Sequence, residues 1–238
     1  MWDENLDRAV VLPILAPDEC EDVRAAVHEM RAAWRQRHPA LPFYTLGAAS
    51  YMDAAEDKPA YYEGARRDNP TLRARFGALY QRIAQAIAGH LGGEVVLRDD
   101  FALPGFHIFL SDPAFAQPLA SIHRDLQYRL LDWRPEEEAD FEHPISFTLP
   151  LRLPARGGGM FLWDLYHHEI EGLSQTEMAR LIRSRPRRFF PYEVGKMVLA
   201  SGHRVHQIAP YKEPSPDDER ITLQGHGIRT RAGWNLYW

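Results

Sequence analysis

The sequence predicts an α+β, β-rich protein in which helices come first and a sandwich or barrel of short strands follows. Three observations carry this expectation. Two amphipathic helical periods fall within residues 1–93, short apolar runs bounded by turn residues fill residues 94–238, and no linker or repeat divides the chain. At 238 residues, one domain spanning 1–238 is long enough to bury a sizeable core.

The first helix is signalled by Pro17-Asp18, an acidic first turn, and apolar Val23, Val27, Met30 and Trp34 at helical spacing. Residues 39–69 mix Phe43, Tyr44, Tyr51, Tyr61 and Tyr62 with Pro, Gly and acidic residues without a period, which reads as irregular structure over a cleft. The second helix is expected to start at Asn69 as N-cap with Pro70 in its first turn, carry Leu72, Phe76, Leu79, Ile83, Ile87 and Leu91, and stop at Gly92-Gly93.

Strand-like runs then occupy 94–97, 106–110, 145–151, 160–163, 196–200 and 221–223. Gly157-Gly158-Gly159 between two of them predicts a hairpin, because glycine supplies the positive φ of tight returns. Residues 174–185 read as a short inserted helix with Leu173, Met178, Leu181 and Ile182 on its apolar side.

A net charge of −5 with scattered arginines gives no general attraction to phosphate backbones or anionic bilayers, so a small-molecule partner is expected, with neither nucleic acid nor membrane. No apolar run approaches the roughly 18 residues of a spanning helix. Residues 1–10 are too polar for a secretion signal, which makes a soluble, cytoplasmic protein the expectation. Cys20 is the only cysteine, which excludes an intrachain disulfide, a thiolate zinc cluster and an iron–sulfur centre, and it reads as a structural thiol. The eleven histidines are an ample supply of imidazole.

Ile122-His123-Arg124-Asp125-Leu126 places an imidazole and a carboxylate two positions apart, and on a strand the two share a face. A second imidazole from a distant strand would complete a triangle of metal ligands with open positions opposite. Downstream, residues 196–200 lead into Ser201-Gly202-His203-Arg204-Val205-His206, and Arg220-Ile221-Thr222 follows after an apparent loop insertion at 214–219. His123-Arg124-Asp125-Leu126 also spells the opening of a kinase catalytic loop, but Leu130 stands where that loop needs asparagine. No phosphate-binding glycine loop or Gly-x-Ser-x-Gly elbow is present.

The ordered set of His-x-Asp, a distal histidine and Arg-x-Thr resembles the iron(II)- and 2-oxoglutarate-dependent oxygenase superfamily over roughly residues 101–238. The resemblance implies a double-stranded β-helix (jelly-roll) core buttressed by the N-terminal helices. It implies His123 and Asp125 as iron(II) ligands, Arg220 as the partner of the distal carboxylate of 2-oxoglutarate, and Thr222 as an added hydroxyl. The third ligand is His206 or His203; His206 is preferred because His206-Gln207-Ile208-Ala209-Pro210 resembles the family's His-x-Val/Ile-x-Pro stretch.

His107 could assist the co-substrate, although a packed histidine is the plainer reading. Gln127 is within reach of the substrate or makes a structural hydrogen bond, and His167-His168-Glu169 reads as a solvated turn. The implied reaction uses O2 to hydroxylate an unactivated C–H bond of a small molecule, an amino acid or natural-product intermediate, with release of succinate and CO2. The alternatives are a cupin-like metal-binding or regulatory protein without turnover, and a metal-dependent enzyme that does not use 2-oxoglutarate.

Overall fold

The computed structural model describes residues 9–238, so most of the polar start at 1–10 lies outside the described residues. Twelve strands and four α-helices follow in the order β1 Val10–Pro13, α1 Pro17–Glu29, β2 Arg35–Gln36, β3 Phe43–Leu46, α2 Lys58–Leu91, β4 Val95–Leu97, β5 Gly105–Leu110, β6 Asp140–Arg152, β7 Gly159–Tyr166, α3 His167–Ile170, α4 Gln175–Ser184, β8 Arg187–Pro191, β9 Lys196–Ser201, β10 Arg204–Ile208, β11 Glu219–Thr230 and β12 Gly233–Tyr237. A nine-stranded, mainly antiparallel sheet has the path β1-β9-β6-β11-β5-β3-β2, with β12 on β11 and β4 beside β12; a second sheet has the order β10-β7-β8. The chain is therefore α+β and β-rich. No helix among the described residues is long and apolar enough to cross a membrane.

Alternation along β11 organises the molecule. Ile221 and Leu223 are fully buried in the main core with Leu149 and Leu151 of β6, Cys20 and Val27 of α1, and Phe76, Leu79, Ile83 and Ile87 of α2. The helices thus cover one face of the large sheet. Arg220 and Gln224, on the opposite parity, line a cavity whose far wall includes Met160 and Leu162 of β7. Glu219, only 8% exposed at its side chain, is tied to α1 by Arg24 and by His28 at 3.0 Å, so the start of β11 is pinned to the helical layer.

The second helix departs from expectation. It begins twelve residues early, at Lys58, with Asp57 as its N-cap accepting from Ala60 N, and runs on through Pro70. Asn69 does not cap it. Its amide ties the helix to the following loop, donating to Phe101 O at 2.7 Å and accepting from Leu103 N at 3.0 Å. An interior proline costs about 3 kcal/mol. Seven large buried side chains, Tyr61, Leu72, Phe76, Leu79, Tyr80, Ile83 and Ile87, offset that, since each contributes about 1.5–3 kcal/mol. The irregular stretch expected at 39–69 is replaced by this helix, by β3, and by a π-helical turn at Ser50–Ala54.

The glycine run is likewise not a hairpin. β6 pairs with β11 and β9, whereas β7 pairs with β10 and β8, so Gly157 to Gly159 carry the chain from one sheet to the other. All three have positive φ, and a Cβ on Gly159 would lie 2.5 Å from Phe190 O. The inserted helix is present as α4 with Ser174 as N-cap, and Cys20 is buried as a structural thiol.

Candidate metal centre and its cavity

His123 and Asp125 do not lie on a regular strand, which corrects their expected setting. Their segment is held extended by a few backbone bonds: His123 N to His206 O at 2.9 Å, His206 N to His123 O at 2.8 Å, and Asp125 N to Gly202 O at 2.7 Å. Each histidine N–H at Nδ1 can donate to a backbone carbonyl two residues earlier, to Ser121 O for His123 and to Arg204 O for His206, both at 2.9 Å. That fixes the tautomer and leaves each Nε2 lone pair free.

These lone pairs converge on one carboxylate. His123 Nε2 is 3.8 Å from Asp125 Oδ1 and His206 Nε2 is 3.6 Å from Oδ2. Donor atoms of all three residues lie within 4.8 Å of one another. Two donors each about 2.1 Å from a shared ion can be at most about 4.2 Å apart, so both pairings with Asp125 are within the span of a single metal. Two imidazoles and one carboxylate form a donor set that suits iron and leaves positions open.

His203 is excluded from this group. It caps a different cleft, where its Nε2 meets Tyr128 Oη at 2.9 Å and its ring lies 5.0 Å from that of His167. Its pKa is lowered to about 4, by burial first and then by His167 and Arg129. His167, expected in a solvated turn, is buried at 4% exposure and Arg124 Nε donates to its Nδ1 at 3.0 Å.

Asp125 is 6% exposed. Burial opposes its ionisation, yet the imidazoles of His206, His226 and His123 and the Ser146 hydroxyl hold its pKa well below the usual carboxylate range. Gln127 Nε2 donates to its Oδ1 at 3.0 Å. His226 was not singled out in the sequence, although its Nδ1 stands 3.9 Å from Asp125 Oδ2 and 3.1 Å from Ser146 Oγ. The signal was available, because 220, 222, 224 and 226 share parity on a strand that runs well past the expected 221–223.

The three residues open onto a cavity of about 700 Å³. Arg220 also lines it; it is 4% exposed, with Nη1 donating to Ala209 O at 3.1 Å and the guanidinium lying 4.3 Å from the Phe109 ring and 5.4 Å from the Tyr211 ring. No carboxylate among the described residues lies within 4.0 Å of it, so this is a buried cation without a counter-ion. Burial lowers its pKa, but a guanidinium starts far enough above neutrality to stay charged. Tyr192, also missed in the sequence, is on the same wall; burial pushes its phenol up to about 12 and the Arg220 charge opposes this.

His107 pairs with Thr222 across β5 and β11 and contacts the Tyr51 hydroxyl through Nε2, while its buried Nδ1 has no partner. Burial, then Arg220 and Arg37, lower its pKa to about 3, so it is neutral. Thr222 is 2% exposed and accepts from Gln224 Nε2 at 3.4 Å; Arg220 and Gln224 reach the cavity wall and Thr222 does not.

No protein-family model and no curated protein matches the chain. Solved structures do. An N-substituted L-amino acid dioxygenase from Burkholderia ambifaria is 14% identical, with 98% of this chain and 89% of that chain covered and a TM-score of 0.57. The same dioxygenase in complex with alpha-ketoglutarate, which is 2-oxoglutarate, aligns with a TM-score of 0.55, 14% identity and the same coverage. The non-haem, alpha-ketoglutarate-dependent carbocyclase SnoK from nogalamycin biosynthesis is 16% identical over 98% of this chain and 87% of its own, with a TM-score of 0.56. This chain therefore shares the fold of these solved structures.

Proposed function

We propose that this protein is a non-haem iron(II), 2-oxoglutarate-dependent oxygenase that hydroxylates a C–H bond of a small molecule in the cytoplasm. On this reading the chain is one catalytic unit, 1–238, whose two facing sheets form a double-stranded β-helix behind the N-terminal helices. The observation that carries the proposal is Arg220: a buried guanidinium with no carboxylate counter-ion among the described residues, lining the same cavity as His123, Asp125 and His206. A buried charge is costly unless a partner meets it, which supports the reading that Arg220 would pair with an anion brought from outside.

A dicarboxylate keto acid would suit this cavity: its distal carboxylate would pair with the planar fork of Arg220, and its keto-acid end would be held at a metal bound by His123, Asp125 and His206. When bound, iron(II) with 2-oxoglutarate and O2 supplies the oxidising power, with succinate and CO2 as co-products. The protein's own part is to present two Nε2 lone pairs and one carboxylate, to orient the co-substrate through Arg220, and to keep water out with Phe109, Phe115 and Tyr211. His107, neutral and on the cavity wall, is proposed as a neighbour of the co-substrate. A protein that binds metal without 2-oxoglutarate would have no use for the buried cation.

The test is succinate formation from 2-oxoglutarate by anaerobically purified protein given iron(II), ascorbate and then oxygen, with and without a metabolite library. Iron-dependent succinate that disappears in Arg220→Met supports the assignment; absence of succinate under every condition contradicts it.

A further inference from the structure

We propose that Ser146 and His226 are positioning residues for the metal: His226 Nδ1–H donates to Ser146 Oγ, Ser146 donates to the Asp125 carboxylate, and this relay fixes the carboxylate in the orientation that binds iron(II). The inference rests on the iron and 2-oxoglutarate reading above and adds to it two residues that act only through Asp125.

The register of two strands brings the pair together. β11 sets Gly225, His226 and Gly227 opposite Phe147, Ser146 and Ile145 of β6. Phe147 and Ile145 are buried in the main core and lie so close to the facing glycines that an added Cβ would stand 2.4 Å from Phe147 Cζ at position 225 and 2.8 Å from Ile145 Cγ1 at position 227. A larger residue at either position must displace a core side chain, so the two glycines keep the strands in the register that holds an imidazole against Ser146. Side chains of directly opposed residues share a face of the sheet, and here Nδ1 and Oγ are 3.1 Å apart. A third glycine leaves room for the hydroxyl. Gly202, whose carbonyl accepts from Asp125 N at 2.7 Å, would with a Cβ stand 3.1 Å from Ser146 Oγ.

The direction of each hydrogen bond follows from donor counting. An ionised carboxylate only accepts, so the Ser146 hydroxyl bonded to Asp125 places its one proton there. Toward His226 the same oxygen must accept, which puts the imidazole proton on Nδ1. Distance excludes a direct role for the ring. His226 Nδ1 is 3.9 Å from Asp125 Oδ2, beyond a hydrogen bond, and His226 is not one of the metal donors that lie within 4.8 Å of one another. Its influence on the metal therefore passes through Ser146. Gln127 Nε2 is a second donor to the same carboxylate, 3.0 Å from Oδ1. With two fixed donors the carboxylate is held in place before an ion arrives, and supporting partners of this kind are typically worth about 10- to 100-fold in metal affinity.

Iron(II) affinity of the anaerobic protein, measured without turnover by competition with a chelating dye, tests the relay. Ser146→Ala, which removes a single oxygen, and His226→Leu should each lose about tenfold or more. The double variant should lose no more than the weaker-binding single variant, because either change breaks the same relay. His226→Asn, whose amide presents an N–H in place of Nδ1, should bind iron more tightly than His226→Leu and close to wild type. Circular dichroism and a denaturant midpoint establish that each variant is folded, and if His226→Leu is not, Ser146→Ala and His226→Asn decide. Wild-type affinity in folded Ser146→Ala, losses that add in the double variant, or His226→Asn binding no better than His226→Leu overturns the inference while the metal site stands. Wild-type protein that binds no iron(II) overturns the metal reading and this inference with it.

Discussion

His123 and His206 exchange backbone hydrogen bonds of 2.9 and 2.8 Å and set their rings 4.3 Å apart, so main chain rather than side chain brings the two imidazoles together. A substitution that removes one ring leaves this pairing intact. His206→Ala is therefore expected to fold and to lose iron(II) affinity by more than the roughly 10- to 100-fold typical of losing a supporting group. His203→Ala, whose ring faces Tyr128 in another cleft, should bind iron as wild type does. Metal titration of both variants distinguishes the two histidines; equal losses would contradict the geometry.

Arg220 is predicted to trade stability for binding. Arg220→Met removes a buried, unmatched charge, so the ligand-free variant should unfold at the same or a higher denaturant concentration than wild type. Its affinity for 2-oxoglutarate should fall by about 30-fold or more, since truncating one partner of a buried charge pair costs about 2–5 kcal/mol. Chemical denaturation and 2-oxoglutarate titration measure the two effects separately.

Part of this site was legible in local sequence: His123-x-Asp125 and His206 come together as a donor set and Arg220 lines the cavity beside them, whereas Thr222 does not reach its wall. What was hidden depends on distant packing. Tyr192 reaches the cavity wall from a loop before β9 that bears no periodic signal. The start of α2 was masked by Asn69-Pro70, a helix-start pair that here lies mid-helix because Tyr61, Gly64 and Ala65 are buried one turn apart on the same face. The glycine run showed a turn but not which sheet each flanking strand would join.

Acid should weaken the metal-free fold before any carboxylate titrates. His107 and His203 have folded-state pKa values lowered to about 3 and about 4, below the ordinary 6.5, so unfolding takes up protons between those limits. The stability they contribute is fully present above about pH 6.5 and is lost as pH falls towards 4 and then 3, at up to about 1.4 kcal/mol per pH unit for each group. Denaturant midpoints at pH 7.5, 6 and 5 should decline in that order, and the decline should be shallower in His107→Phe if that variant folds; a flat profile would refute the assignment.

Gly105 faces Trp238 at a distance no side chain tolerates: an added Cβ would lie 2.0 Å from the indole and 2.7 Å from Leu46 O. Trp238 is fully buried and its ring is 5.2 Å from that of His107. Gly105→Ala should cost about 1–3 kcal/mol or more, read from denaturation, and should weaken 2-oxoglutarate binding through the displaced histidine.

The central claim is that one ferrous ion and one keto acid share the cavity between His206 and Arg220. The most direct test is the visible absorption of anaerobic protein titrated with 2-oxoglutarate in the presence of iron(II). A charge-transfer band that needs both components, saturates at one equivalent of iron, vanishes in His206→Ala and demands far more 2-oxoglutarate in Arg220→Met is the predicted result. Folded protein that shows no such band at saturating iron(II) and 2-oxoglutarate would contradict it.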